Sequence, residues 1–124
     1  MLRRVLPAAI CALLLSTSCK RSVDSALVGY WRCGVMNADG LLEIAGEARF
    51  ASDHTFTEHE WDTTSSRSNV GNWHVRGDKL VLDVRGEADL RNAKHLEFSL
   101  AMHDQDHFTL RQTDGAESRF ERIN

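Results

Sequence analysis

From Leu27 to Ile123, apolar residues recur at every second position in short runs separated by Gly, Asp, Asn and Ser. That is the period of a half-buried strand, not of a helix. The run 27–36 sets Trp31, Cys33 and Val35 on one face, and Asn37-Ala38-Asp39-Gly40 then supplies turn chemistry. Residues 41–50 alternate Leu42, Ile44, Ala48 and Phe50 against Glu43, Glu47 and Arg49. Six further strands are predicted over 55–62, 69–75, 79–85, 95–102, 107–112 and 117–123. The longest connection, 86–93, is expected to be irregular, with room for a helical turn around Leu90. Eight strands joined mostly by tight turns favour antiparallel neighbours. They predict an all-β, eight-stranded antiparallel up-and-down barrel, which leaves no exposed edge; a two-sheet sandwich is the alternative. On this alternation Trp31, Phe50, Trp73, Phe98, Phe108 and Phe120 point inward. Each aromatic buries roughly 150–250 Å², so they should fill one half of the barrel and leave any cavity small and near the other end.

The first 18 residues break this pattern. Arg3 and Arg4 precede an apolar run from Val5 to Leu15, and Ser16-Thr17-Ser18 lead into Cys19. These are the three regions of an export signal, and the run is too short to span a bilayer, which takes roughly 20 residues. The stretch Leu13 to Cys19 resembles the lipobox of bacterial lipoproteins, although Ser16 stands where that family usually has Leu. The resemblance implies cleavage before Cys19, acylation of its thiol and a membrane anchor through the N-terminal lipid. Lys20 is not the Asp that retains such proteins at the inner membrane, which implies the periplasmic face of the outer membrane. Ordinary cleavage at the same place is the competing reading. It leaves Cys19 free to pair with Cys33 across about 15 residues, a bridge worth roughly 3 kcal/mol. The chain therefore divides into a signal peptide (1–18), a lipidated N-terminus and tether (19–26) and one β domain (27–124).

Charge narrows the partners. Removing Arg3 and Arg4 from the 15 basic residues leaves 13 against 18 acidic ones, so the formal charge falls from −3 to −5. No basic face stands out, which argues against nucleic acid.

Gly29-Tyr30-Trp31 resembles the G-x-W of lipocalins, and two later stretches, Phe50 to Glu58 and Gly71 to Leu82, resemble hairpins of small bacterial lipocalin-like domains. The resemblance covers nearly all of the chain after the tether. It implies that Trp31 plugs the closed end of a barrel and that an Arg from the last strand, best matched by Arg122, lies over it. It also implies either a small apolar ligand or a role as an envelope accessory. A more distant resemblance joins Tyr30-Trp31-Arg32-Cys33 to the opening strand of membrane-bound lysozyme inhibitors, without that family's later motif or disulfide partner. It implies a protein-binding inhibitor or immunity lipoprotein acting on a periplasmic toxin or hydrolase, with 62–68 or the barrel mouth as its surface.

Candidate chemistry is sparse. His103-Asp104-Gln105-Asp106-His107 has helical zinc-ligand spacing, but its flanks alternate with period two, so a hairpin tip is the simpler expectation. Cys33 with His59 or His74 is a weaker metal pair, since His74 falls opposite Trp73. The run 55–62 is ambiguous: if Phe56 points in, Glu58 and Glu60 do too, and a buried carboxylate costs several kcal/mol unless paired. A bulge that buries both Phe56 and Trp61 while the acids stay wet is the simpler expectation. The sharper one is a polar mouth of Glu58, Glu60, Arg67 and Asn69 that receives a ligand or partner. Neither a recognised catalytic motif nor a phosphate-cradling loop is present. The sequence is read as a non-catalytic protein without cofactor or metal.

Overall fold

The computed structural model describes residues 23–86 and 89–124; the signal peptide and Cys19 lie outside them. Eight antiparallel strands close into a single barrel in chain order. They are β1 (Gly29–Met36), β2 (Leu42–Phe50), β3 (Thr55–Trp61), β4 (Ser66–Arg76), β5 (Lys79–Gly86), β6 (Asp89–Asp104), β7 (His107–Arg111) and β8 (Glu117–Arg122). Closure comes from β1 and β8, with Trp31 opposite Arg122 and Cys33 opposite Phe120. Asp and Asn side chains set the turns by accepting backbone N–H groups two residues on: Asn37 from Asp39, Asp53 from Thr55, Asp104 from Asp106 and Asp114 from Ala116. The two-residue turn between β4 and β5 uses Gly77 at φ +65° instead.

Inward positions of one half are packed with rings. Trp31 meets Phe108 edge-on at 4.6 Å, Phe50 meets Trp73 edge-on at 5.5 Å, and Phe108 stacks on Phe120 at 4.5 Å. Such pairs add about 0.5–1.5 kcal/mol beyond area burial. Leu27 closes this end from below, completely buried at the end of a helical turn formed by residues 23–27. Part of the expected tether is thus folded, because the barrel floor offers Leu27 apolar surface and its carbonyl receives the Trp31 indole N–H at 2.8 Å.

Three local expectations are corrected. Val35 does not join Trp31 and Cys33 inside; a β-bulge between Cys33 and Gly34 reverses the alternation and leaves Val35 49% exposed. Gly34 permits it, since a Cβ there would stand 2.0 Å from the Glu43 carbonyl oxygen. The β3 bulge is absent: β3 pairs in unbroken register with β2 and β4, so Phe56 is buried, Trp61 stays 37% exposed and the acids between them face inward. Lastly, β6 begins at Asp89, so Leu90 lies in a strand and not in a helical turn.

Candidate functional site

The two ends of the barrel differ in chemistry. At the closed end, Arg122 donates to the carbonyls of Ala26 (2.5 Å), Val28 (3.0 Å) and Gln105 (2.9 and 3.0 Å), and its guanidinium carbon lies 4.3 Å from the Trp31 ring centroid. Asp106 completes its surroundings at 3.3 Å. Gly29, at φ +139°, makes room, because a Cβ there would stand 2.6 Å from Nη1 of Arg122. The one side chain of Arg122 thus ties the N-terminal turn, the β6–β7 turn and the last strand together.

The open end is built on the β3–β4 hairpin. Asp62 Oδ1 accepts the backbone N–H groups of Thr64 and Ser65, both at 2.8 Å, which fixes the turn and holds the Asp62 carboxyl below the usual carboxylate range. From that turn the register sets Glu58 opposite Asn69 and Glu60 opposite Arg67. Because these positions share the Phe56 face, all four side chains gather at the barrel's inner edge. Asn69 Nδ2 donates to Glu58 Oε1 at 2.9 Å, and Arg67 Nε donates to Glu60 Oε2 at 2.7 Å. Burial pushes Glu58 up to about 7; the Asn69 hydrogen bond opposes this and the nearby Glu60 carboxyl adds to it.

These residues border a depression of about 380 Å³, with Cys33 and Phe120 from the barrel interior among its lining and Trp61 at the rim. That volume falls within the roughly 300–1,000 Å³ of small-molecule sites. A second, wider depression of about 790 Å³ shares Glu58, Glu60 and Arg67 and continues toward Val84, Leu96 and Lys94. Lys94 was not anticipated, although it lies two residues before Leu96, on the same face by the same alternation. Burial pushes the Cys33 thiol up to about 12, with Glu58, Glu60 and Glu47 adding to the effect. It is protonated at neutral pH and is no nucleophile.

The histidine motif behaves as a turn. His103 Nε2 lies 2.7 Å from Thr109 Oγ1, and His107 Nδ1 lies 2.9 Å from Asp104 Oδ1, so each ring has its own partner. His59 bonds Ser68 at 2.9 Å, on the opposite face of β3 from Glu58, and His74 is exposed. Among the described residues, no group of three or more His, Cys, Asp or Glu is placed to hold a metal ion.

No protein-family model matches the chain, and no curated protein does either. Solved structures do. A lipocalin-like protein from Bacteroides uniformis superposes with a TM-score of 0.58 at 16% identity, over 79% of this chain and 99% of its own. An uncharacterized protein from Bacteroides eggerthii gives 0.56 at 11% identity, over 78% and 99%. A redesigned β-barrel gives 0.55 at 20% identity, over 82% and 95%. At these identities the likeness is one of fold: the chain is a lipocalin-like, eight-stranded antiparallel barrel.

Proposed function

We propose that this chain is a non-catalytic, lipid-anchored protein of the cell envelope, on the periplasmic face of the outer membrane, whose barrel binds a small and largely apolar ligand at its open end. One observation carries the binding step: Arg122, Trp31 and Leu27 seal one end, while the other holds a depression with apolar interior residues and a polar edge. A sealed floor and an open, partly apolar mouth suit one small guest. The address rests on the resemblance of Met1 to Cys19 to lipoprotein signals. The absence of catalysis rests on the chemistry of the mouth, where the thiol is protonated and the Glu60 carboxylate is engaged by Arg67.

Two measurements test this. A diacylglyceryl-sized mass increment on Cys19, with loss of envelope association in Cys19→Ser, is the expected result for the anchor. For the guest, the neutral apolar fluorophore N-phenyl-1-naphthylamine should bind with enhanced emission, and Ser118→Trp, which fills the depression, should abolish the enhancement.

A second reading, an inhibitor or immunity protein directed at a periplasmic hydrolase or toxin, is favoured by the hairpin tips of the same end. Val35 and Trp61 border the mouth depression and are exposed, as are Met36 and Leu41 on the β1–β2 hairpin beside Arg119, and exposed aromatic and aliphatic anchors are typical of protein interfaces. It predicts stoichiometric inhibition of a cell-wall hydrolase that Trp61→Ala and Leu41→Asp abolish.

A further inference from the structure

The charges around the mouth are unevenly matched. Three acids, Glu58, Glu60 and Asp62, border the 380 Å³ depression with one base, Arg67. Arg67 is committed to Glu60, and the Asp62 Oδ1 atom is committed to its own turn. Glu58 is the most deeply placed of the three and receives a neutral amide from Asn69, with no ion pair among the described residues. Glu60 lies close as well, its like charge and hydrogen bond favouring a protonated Glu58, while the attraction of Arg67, already paired with Glu60, opposes this only weakly. A carboxylate in such a place is completed either by a proton or by a cation from outside.

We infer that the guest of the open end carries a cationic nitrogen, an ammonium or amidinium group on an apolar body, received by Glu58 between Asn69 and Glu60 while the body packs on Cys33 and Phe120. The inference rests on the ligand-binding reading above and deepens it. A bare metal ion does not suit the place, because the described residues supply no third ligand. A fatty acid anion meets two carboxylates. A neutral apolar molecule gains the same floor but brings Glu58 no opposite charge, leaving it only the Asn69 and Glu60 hydrogen bonds it already has. An organic cation satisfies both halves of the depression, its charge at Glu58 and its body on Cys33 and Phe120.

Ionisation of Glu58 then governs affinity. The groups that face it are Glu60 on its own strand, Arg67 and Asn69 on β4, Cys33 on β1 and, across the wider depression, Lys94 on β6; the inward β2 positions beside it are Gly46 and Ala48, which carry no charge. Since burial sets Glu58 near 7, its ionised fraction, and with it the affinity for a permanently charged guest, should rise about tenfold from pH 6 to pH 8.

The test is calorimetric titration of the full chain with octylammonium, octanol and octanoate. Octylammonium should bind at least about tenfold tighter than octanol, more tightly at pH 8 than at pH 6, with octanoate weakest; Glu58→Gln should erase both the preference and the pH dependence. Arg67→Gln gives an independent arm: freeing Glu60 should tighten octylammonium binding, even if Glu58→Gln proves too unstable to titrate. Octanol binding as tightly as octylammonium, octanoate binding best, or Arg67→Gln weakening the ammonium overturns the cation inference while leaving an apolar site intact. If none of the three binds, the ligand-binding reading fails and this inference falls with it.

Discussion

Arg122 lies over the face of Trp31, 4.3 Å from the ring centroid, in space that exists because residue 29 has no side chain. The contact joins the first and last strands at the sealed end. A guanidinium over an indole contributes about 0.5–2 kcal/mol, and the charge-assisted bonds to Ala26, Val28 and Gln105 add to it.

Arg122→Ala is therefore expected to lower stability by about 2–4 kcal/mol, measured by urea denaturation. Arg122→Lys should recover less than half of that, since an ammonium cannot reach carbonyls in three directions while lying flat on a ring. Full recovery by lysine would show that charge alone is at work.

Gly71 and Gly77 separate two reasons for a glycine. A Cβ on Gly71 would stand 1.8 Å from the Asp83 carbonyl oxygen, within the β4–β5 ladder, whereas one on Gly77 meets nothing within 4 Å but inherits φ +65°. Gly71→Ala must push two strands apart, and a loss of at least about 3 kcal/mol is expected, beyond ordinary overpacking. Gly77→Ala should cost only about 1–2 kcal/mol from backbone strain. Denaturation midpoints in the opposite order would contradict this account.

The period-two pattern carried the barrel because strands such as β2 bury one face, with Glu47 and Arg49 exposed between buried Gly46, Ala48 and Phe50, although Leu80 to Leu82 and Phe108 to Leu110 are buried without a break. Where a strand departs from that rule, the cause is tertiary. The reversal at Cys33 depends on Gly34 lying against the Glu43 backbone, and a glycine inside a strand was the one local hint. The strand at Asp89 forms because β5 offers it a partner, with Gly86 opposite Asp89, not because its own residues alternate. For the mouth, sequence alone put Glu58 and Glu60 on the Phe56 face but could not weigh their burial against a bulge. The cross-strand partners Asn69 and Arg67, which lower the cost of facing inward, become visible only with the register.

Cys33 should behave as a protonated, sheltered thiol. With burial pushing it up to about 12, iodoacetamide at pH 8 is expected to label the peptide containing Cys33 far more slowly in the folded protein than in denaturant, followed by peptide mass mapping. Labelling at the rate of a free thiol would mean that burial does not hold Cys33 in its protonated form.

Glu58 makes stability depend on pH in an unusual direction for a carboxyl. Its ordinary value of 4.5 is raised to about 7 in the fold, chiefly by burial, so between those values the folded state holds a proton that the unfolded chain has released. Stability contributed through this group is greatest at or below pH 4.5, declines as pH rises toward 7 and is flat above it, with a total on the order of 3 kcal/mol. His95 and His107, raised by their bonds to Asp83 and Asp104, also lose stabilisation as pH rises through their folded values. Both remain in Glu58→Gln, so the difference between the two proteins isolates Glu58. Denaturation of both between pH 4.5 and 8 should show the wild type losing stability relative to the glutamine variant as pH rises, with the curves parallel above about 8. Parallel curves over the whole interval would mean that the Glu58 carboxyl is hydrated, and that the polar edge of the barrel holds no unmatched charge for a guest to meet.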